Sequence, residues 1–375
     1  MKKNHLLIGV TLFLHSWHAS GQAVSVPFTS DRWNMKDAQA TVETYLGKEC
    51  LLVKSGFVYL NDLQLQDGII EADLSFSQQR SFPGFMFRMQ DLKNGEHFYV
   101  RPHQSGNPDA TQYTPVFNNN DGWQLYHGEG YSKAYSFRFD QWHHIKIDVH
   151  GRQAEIYLDD MQKPLIKVTE LKRDPRAGTF AVHAGGIPAR FANVQYTIKT
   201  PIIQAALPVP ANGTDGLITQ WQISNQVNNK LFENKKQLTP AIKSKLTFTT
   251  QTSEPSGTIN LDKFTQPNDT NKVMVAKVTI ESETEQVKAI TFGFSDFVTV
   301  YLNDKALYAG RDAFMSRDYR FLGTIGYFDM VYLPLKKGKN ELWFVLSENF
   351  GGWGVKARLE NMEKISLPTS HHPRP

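Results

Sequence analysis

The stretch FPGFMFRMQDLKNGEHFYVRPHQSGNPDATQYTPVFNNNDGWQLYHGEGY, residues 82–131, decides the fold class of this 375-residue chain. Three short runs inside it alternate apolar and polar side chains with the period of two that is typical of β-strands. We predict these strands over Phe85–Met89, His97–His103 and Trp123–His127. Because Gly, Asn, Asp and Pro separate the runs, the pattern predicts an all-β, antiparallel fold.

The middle run has two chemically different faces. Phe98 and Val100 point to one side, where we expect the core. Tyr99, Arg101 and His103 point to the other side, which core packing alone does not require. We therefore predict an exposed ligand-binding surface, extended by neighbouring segments and formed by the polar and aromatic residues Arg88, Tyr99, Arg101, His103, Gln112, Tyr113, Gln124 and Tyr126.

Arg101 and His103 allow three interpretations. The Arg101 guanidinium offers paired donors that suit sugar hydroxyls or a uronate carboxylate. Alternatively, Arg101 pairs with Asp109 or Glu96 and holds the following loop in place. As a third possibility, His103 acts as a base beside Tyr99 in β-elimination of an acidic polysaccharide.

Residues 24–199 read as strands throughout. Apolar runs are broken by turn residues at intervals of roughly 8 to 12 residues, the spacing of an antiparallel sandwich. Gly68–Phe76 is one such run, and Ile145–Val149 with Ala154–Leu158 forms a predicted hairpin with one buried face.

The chain begins with the pattern of an export signal. Lys2 and Lys3 are followed by the short apolar run Leu6–Leu14 and by the small-residue site Gly21–Ala23. We predict a signal peptide over residues 1–23 and an exported protein, periplasmic or extracellular. No later run is long and apolar enough to predict a membrane span.

Charge and cysteine content narrow the possibilities further. The formal net charge is +4, and loss of two lysines with the signal would leave about +2, which does not predict a nucleic-acid partner. Cys50 is the only cysteine, so an exported form has no internal disulfide. Its apolar neighbours Leu51–Val53 predict a buried, unreactive thiol.

A linker divides the chain. Residues 200–216 contain three prolines and two glycines, and strand-like runs resume afterwards, for example at Val273–Ile280 and Glu341–Leu346. We predict a second β-sandwich over residues 217–366, a short helix within Lys230–Lys245, and a disordered tail over residues 367–375.

The first half resembles the concanavalin A-like lectin and glucanase superfamily in its broad, laminin-G-like sense. The resemblance is carried by Gly68–Phe76, Gly84–Arg88, Trp142–Ile147, Ala154–Asp159, Gly178–Val182 and Phe191–Val194. It covers the whole first domain and implies a curved β-sandwich. It does not decide the function, because the superfamily contains lectins, hydrolases and adhesion modules.

The second half resembles a galactose-binding-like jelly roll of the type attached to bacterial glycosidases. The resemblance rests on Asp296–Lys305, Ser316–Asp318, Leu333–Asn340 and Phe350–Gly354. Within the last segment, Gly351 and Gly352 indicate a close backbone approach.

Hydrolases of the first superfamily carry the signature Glu-x-Asp-x-x-Glu. Glu71 and Asp73 supply its first two positions here, but the third falls on Phe76. The candidate catalytic residues are therefore His103, Tyr99, Glu71 and Asp73. Alternatively, Glu71 and Asp73 belong to an ordinary solvated strand face.

The loop Asn118–Gly122 is rich in oxygen ligands, so a structural Ca²⁺ is one possibility there. A polar turn between two strands explains the loop equally well, and we favour that explanation. We expect no other cofactor and no other metal site.

These observations favour an exported carbohydrate-binding protein that takes part in the recognition or use of a polysaccharide, without catalysis of its own. The first alternative is a glycan-acting hydrolase or polysaccharide lyase that uses Tyr99, Arg101 and His103. The second alternative is a cell-surface module that binds another protein.

Overall fold

The computed structural model describes residues 21–266, 268, 270–318 and 321–368. Most of the predicted signal segment, residues 1–20, and most of the predicted tail, residues 369–375, lie outside this range. The described chain is almost entirely β, as predicted, with a single α-helical turn, α1, at Pro240–Lys243. This helix lies within the polar segment Lys230–Lys245, where a short helix was predicted.

Within the described residues, the N-terminal sandwich contains fifteen strands. In chain order, β1 to β15 are Val24–Ser25, Trp33–Asn34, Ala38–Tyr45, Lys48–Leu60, Asp67–Phe76, Gly84–Asp91, Asn94–Val100, Thr111–Phe117, Asn120–Asp121, Ser132–Lys133, His143–His150, Gln153–Leu158, Ile166–Val168, Thr179–Ala184 and Ala189–Lys199. Their main path runs β10-β8-β7-β6-β14-β4-β15-β5-β11-β12-β13, with every pair antiparallel.

The alternation in residues 82–131 predicted two of the three strands. Phe85–Met89 lies in β6, and the middle run forms β7. That strand ends at Val100, and Pro102–Gln104 forms a 3₁₀ turn, because proline has no N–H to continue the ladder. Trp123–His127 is not a strand: Leu125 and Tyr126 donate their backbone N–H groups to the carbonyl of Gly122, which closes a turn.

The alternation of apolar and polar side chains also predicted the core of this sandwich. Phe98 and Val100 are completely buried, together with the inward side chains of the hairpin β11–β12. The hairpin register pairs Ile147 with Ile156, as the alternation requires. Cys50 is buried on β4, as expected.

The described part of the C-terminal sandwich contains twelve strands. In chain order, β16 to β27 are Gln220–Ser224, Val227–Asn228, Phe248–Thr252, Ile259–Asn260, Asn271–Ser282, Gln286–Ser295, Phe297–Leu302, Lys305–Arg311, Asp329–Leu335, Gly338–Ser347, Gly354–Leu359 and Ile365–Ser366. One sheet follows the order β18-β16-β20-β25-β22-β23, and the other follows β19-β26-β21-β24. Apolar side chains from both sheets share one core.

The two largest cores occupy different parts of the chain. One is built from residues between 26 and 196, and the other from residues between 218 and 367. Residues 200–210, in the predicted linker, contain no helix or strand. The domain boundaries themselves stay a prediction. Within the described residues, no helix has the length and apolar character needed to cross a membrane.

Candidate functional site

A cleft of about 730 Å³ lies where the two sandwiches meet, and β7 passes beside it. The N-terminal sandwich contributes most of its polar and aromatic lining, including His97, Tyr99, Arg101, His103, Trp123 and His183. The C-terminal sandwich closes the opposite side with Phe314, Phe350 and Gly351. The polar face predicted on β7 therefore faces a cavity, not open solvent.

Tyr99 and Arg101 form the base of the cleft. They are only 3% and 5% exposed, which corrects the expectation of an exposed surface. Nη2 of Arg101 donates to the Tyr99 hydroxyl at 2.8 Å, and Nη1 donates to the backbone carbonyl of Asp109 at 2.7 Å. Burial raises the pKa of the Tyr99 phenol and keeps it protonated at neutral pH.

Three polar side chains, those of Asp121, His97 and His183, form a hydrogen-bonded chain along the same side of the cleft. Nδ1 of His97 donates to the carboxylate of Asp121, with both oxygens at 3.1 Å. Nε2 of His97 lies 2.5 Å from Nε2 of His183, so one of these nitrogens must carry the proton between them. Burial, followed by the neighbouring His97, lowers the pKa of His183 well below its usual value.

The sheet register explains how two histidines from non-adjacent strands meet. His183 on β14 lies opposite Gly84 on β6, which in turn lies opposite Tyr99 on β7. Gly84 lets β7 approach β6 closely, because a Cβ there would lie 2.3 Å from the carbonyl oxygen of Phe98. Sequence reasoning missed His183, because nothing in its own segment, Gly178–Val194, indicates which strand will lie two strands away in the sheet.

His103 lies at the rim of the cleft, beneath the ring of Phe82, with ring centroids 5.4 Å apart. Its Nδ1 is buried without a hydrogen-bond partner among the described residues. Burial, followed by the charges of Arg80 and Arg101, lowers the pKa of His103 and favours its neutral form. A neutral imidazole at the rim can both donate and accept a hydrogen bond.

Aromatic rings from both sandwiches meet at Trp123. Its ring packs edge-on against Phe350, with centroids 5.8 Å apart, and against Phe314 at 6.3 Å. Arg101 lies over the other side of the indole at 5.3 Å. Sequence reasoning did not find Phe314 or Phe350, because their contact with the first half arises only when the sandwiches pack together.

The glycine pair after Phe350 marks this contact, as predicted. A Cβ on Gly351 would lie 2.4 Å from Oε1 of Gln124, and one on Gly352 would lie 3.0 Å from the Cα of Gly122. Both glycines also have positive φ angles. A side chain at either position would therefore separate the two sandwiches.

Two predicted ligand residues lie behind the cleft. Gln112 is buried and turns its carbonyl oxygen toward the Arg101 guanidinium at 3.4 Å, while its amide donates to Tyr126 O. Tyr113 belongs to the core, and its hydroxyl donates to Glu96 at 2.8 Å. Gln112 can position Arg101, whereas Tyr113 does not reach the cleft, which corrects that expectation.

Arg88 lies away from the cleft, contrary to expectation. It is buried on β6, where Nη2 donates to Asp67 at 2.8 Å and to the carbonyl of Gly151 at 2.7 Å. The residue has a positive φ, which turns its side chain out of the regular alternation. This ion pair joins β5, β6 and the β11–β12 turn, and it gives Arg88 a framework position.

Gln124 and Tyr126 connect the two sandwiches. The Gln124 side chain donates to the carbonyl of Leu322 at 2.9 Å and accepts from Ser295 at 3.1 Å. The Tyr126 hydroxyl donates to Glu254 at 2.5 Å. Both side chains are buried by these contacts, so neither has the exposed position that was predicted for a ligand residue.

Glu71 and Asp73 lie on β5, away from the cleft. His144 bridges them, with Nδ1 2.8 Å from Asp73 and Nε2 3.1 Å from Glu71. Lys48 and Asn193 complete the shell around Asp73, each at 2.6 Å. Asp73 is buried and Glu71 is partly exposed, so the two carboxylates form a hydrogen-bonded network instead of the solvated strand face of the simpler interpretation, and they do not lie beside Tyr99 or His103.

The loop Asn118–Gly122 packs on the second sandwich. The amide nitrogens of Asn118 and Asn120 donate to the backbone carbonyl and the carboxylate of Asp262, both at 2.7 Å. Within the described residues, no group of three or more His, Cys, Asp or Glu side chains is arranged to hold a metal. A structural Ca²⁺ in this loop stays an untested prediction.

Comparison with known families supports a carbohydrate-related fold. Residues 14–197, just under half of the chain, match the model of the 3-keto-alpha-glucoside-1,2-lyase-like domain. This match agrees with the concanavalin A-like expectation for the first half. The galactose-binding-like resemblance of the second half stays a prediction.

The chain is also similar to solved β-sandwich structures. A carbohydrate-binding module from Bacillus subtilis is 19% identical, with a TM-score of 0.35, over 45% of this chain and 96% of the module. A β-glucanase from Bacillus licheniformis is 12% identical, with a TM-score of 0.34, over 48% of this chain and 99% of the glucanase. These likenesses concern the fold alone. No curated protein sequence matches this chain.

Proposed function

We propose that the protein binds a carbohydrate in the cleft between its two sandwiches. The observation that carries this proposal is the convergence of aromatic rings and polar groups on one cavity. Trp123, Phe350 and Phe82 offer apolar ring surfaces, and Tyr99, His103 and Asn119 offer polar groups. Sugar rings need this combination, since one face of the ring is apolar and its edge carries hydroxyl groups.

The charges of the cleft favour a neutral or weakly charged sugar. Arg80 and Arg101 are balanced by Asp109 and Asp121. Arg101 already donates to protein oxygens, which leaves its guanidinium less available for a carboxylate. We infer that hydroxyl groups and ring faces, not a uronate charge, supply most of the recognition.

The test is calorimetric titration of the full chain with the oligosaccharides that bind on a glycan array. Phe350→Ala should weaken binding about fivefold or more, because the loss of an aromatic contact with a sugar ring costs roughly 1 kcal/mol or more. Phe328→Ala is the matched control: Phe328 is 54% exposed and Phe350 is 50% exposed, but Phe328 does not line the cleft. Equal affinities for the two variants would show that the sugar binds elsewhere.

A second candidate, elimination on the bound sugar, is favoured by the contact between His97 and His183. We propose it because the family that matches residues 14–197 is described as 3-keto-alpha-glucoside-1,2-lyase-like. A keto group at C3 acidifies the proton on C2. Removal of that proton by a base forms the C1=C2 bond and expels the oxygen on C1, which leaves as an alcohol after it takes up a proton.

The cleft contains side chains suited to each part of this step. A neutral His183 has a lone pair for the C2 proton, and Asp121 stabilises the imidazolium through His97. The Tyr99 hydroxyl accepts from Arg101, so its own proton is free to stabilise the oxygen at C3 as it becomes negative. His103 at the rim is the candidate donor to the leaving oxygen.

This candidate is tested with p-nitrophenyl 3-keto-α-glucoside, by following the release of p-nitrophenol. His183→Ala should reduce the rate at least a hundredfold, while His144→Ala, on a different face of the same sandwich, should not. If the unmodified protein releases no p-nitrophenol, elimination is excluded and the binding proposal stands by itself.

We also propose that the protein acts outside the cytoplasm, on the basis of the basic, apolar and small-residue pattern of residues 1–23. Expression of the full chain in a bacterial host, followed by cell fractionation and N-terminal sequencing, tests this. Recovery of uncleaved protein in the cytoplasm would contradict it.

A further inference from the structure

Three buried carboxyl groups surround the loop that carries Phe350 to the cleft. Asp262 follows β19, Asp296 precedes β22, and Glu348 follows β25. All three are at most 2% exposed. They lie in the C-terminal sandwich, beside the region where Asn120 of the first sandwich contacts Asp262.

All three carboxyl groups accept hydrogen bonds from one short loop, Asn349–Trp353. Asp296 accepts from the backbone N–H groups of Asn349 and Phe350, at 3.0 and 2.9 Å. Glu348 accepts from Gly352 at 3.1 Å, and Asp262 accepts from Trp353 at 3.0 Å. The cluster therefore fixes the loop that carries Phe350 to the cleft.

The same loop holds the two sandwiches together. The backbone N–H of Gln124 donates to the carbonyl of Gly351 at 2.9 Å, and Gly352 packs against Gly122. The ring of Phe350 also packs against Trp123. A change in the carboxyl cluster is therefore transmitted to both the interface and the cleft wall.

Positive charge near the cluster is insufficient to balance three carboxylates. Among the described residues, none of the three forms an ion pair with a basic side chain. Arg311 acts on Asp296 only at longer range, and Arg317 pairs with Asp312 and Asp329. The carboxyl group of Asp312, which is also buried, adds a further negative charge that repels Asp296 when both are ionised. From the first sandwich, the uncharged Asn120 contacts Asp262, and Gln124 contacts Asp296 through Ser295.

One oxygen of Glu348, Oε2, is buried and has no hydrogen-bond partner within the described chain. An ionised carboxylate in that position would lose its hydration without compensation. Burial raises the pKa of Asp262 to about 7 and that of Asp296 to about 6. Burial, followed by the charges of Asp262 and Asp296, raises the pKa of Glu348 well above its usual value.

We propose that Asp262, Asp296 and Glu348 form a proton-dependent latch that holds the loop Asn349–Trp353, and with it the Phe350 wall of the cleft, against the N-terminal sandwich. Protons retained by the cluster remove the repulsion between the carboxylates and keep the loop in place. Above neutral pH the cluster becomes multiply charged and the loop is released. This latch does not depend on which ligand the cleft takes.

The direction of the pH effect on stability follows from the linkage between proton binding and folding. A group whose pKa is raised in the folded state stabilises that state below its unfolded pKa, and the contribution is lost as the pH rises through the folded value. The latch should therefore be intact near pH 5 and weaken between about pH 6 and pH 8.

The test compares the full chain with Glu348→Gln, which resembles the protonated acid and is uncharged at every pH. Between about pH 5.5 and pH 8.5, the melting temperature of the unmodified protein should fall by several degrees, and the variant should lose less than half as much. Glu283→Gln, at an exposed position, is the matched control and should follow the unmodified protein. Asp262→Asn provides a second, independent variant if Glu348→Gln does not fold.

Hydrogen exchange distinguishes a latch from a general effect on stability. At about pH 8.5, the backbone amides of residues 349–353 should exchange at least tenfold faster in the unmodified protein than in Glu348→Gln. Near pH 5.5, the two proteins should exchange these amides at equal rates. Equal exchange at both pH values would overturn the proposal. A second result would also overturn it. If CaCl₂ raised the melting temperature of the unmodified protein, NaCl of equal ionic strength did not, and Glu348→Gln abolished the rise, the cluster would be a cation site.

Discussion

The Tyr99 hydroxyl lies 2.8 Å from Nη2 of Arg101, and the Arg101 guanidinium lies 4.9 Å from the centre of the Tyr99 ring. Because Tyr99 and Arg101 are two residues apart at the end of β7, their side chains lie on the same side of the backbone. The tyrosine is held as a proton donor, and the arginine is held as a fixed charge beside Trp123. The cleft therefore has a preorganised base, which is what a site for a rigid polar ligand requires.

This arrangement changes what we expect of Arg101→Ala. An exposed arginine would be removed without loss of stability, but here the change leaves the Asp109 carbonyl and the Tyr99 hydroxyl without their buried donor. We expect a loss of about 1–3 kcal/mol of unfolding free energy, together with at least tenfold weaker sugar binding. Denaturant titration and calorimetry measure the two effects, with Arg138→Ala, on an exposed side chain, as the control. Unchanged stability would contradict the buried network.

Tyr126→Phe should affect stability but not ligand binding. The variant loses the hydrogen bond to Glu254 across the interface, which we expect to cost about 1–2 kcal/mol. Because the Tyr126 side chain is buried outside the cleft, affinity for the sugar should stay the same. Tyr332→Phe, at an exposed position, is the control. A loss of affinity at unchanged stability would return Tyr126 to the ligand site.

The fragment Val24–Lys199 should unfold cooperatively, because its core contains no residue of the second half. It should nevertheless melt at a lower temperature than the full chain, since Leu125 and Tyr126 lose their contact with Ile325. Its sugar affinity should be at least tenfold weaker without Phe314 and Phe350. Full affinity in the fragment would show that the second sandwich does not complete the site.

The ionised carboxylate of Asp159 should stabilise the folded protein near neutral pH, and this stabilisation should be lost in acid. Burial alone would raise its pKa, but hydrogen bonds from His143 and Tyr135 outweigh burial and lower it. The stabilisation is therefore present above its unfolded pKa and is lost as the pH falls through the lower folded value. Asp159→Asn should cost about 2 kcal/mol near pH 7 and clearly less near pH 2, where the stabilisation is only partly lost, by urea titration. Asp215→Asn is the exposed control; a cost independent of pH would contradict this explanation.

Cys50 should resist thiol reagents in the native protein. It is fully buried, and burial raises the pKa of its thiol, so both access and ionisation are unfavourable. Labelling with Ellman's reagent should be at least a hundredfold slower before unfolding in guanidinium than after it. Rapid native labelling would show that β4 opens locally.

The sequence by itself determined the all-β class, most of the long strands, and which face of β7 is apolar. Those features follow from local chemistry, because the period of two assigns Phe98 and Val100 to the core whichever strands lie beside them. The same alternation placed Tyr99 and Arg101 on the opposite face. It could not show that this face would be buried, since burial depends on what packs against it.

Only the tertiary structure decided which polar side chains meet. His183 meets His97 because β14 and β7 flank the same strand, β6, in the sheet. Phe350 reaches Trp123 because two sandwiches, distant in sequence, pack together through a glycine pair. Sheet order and packing between sandwiches arise from contacts between distant segments, and neither the alternation within a strand nor its composition specifies those contacts.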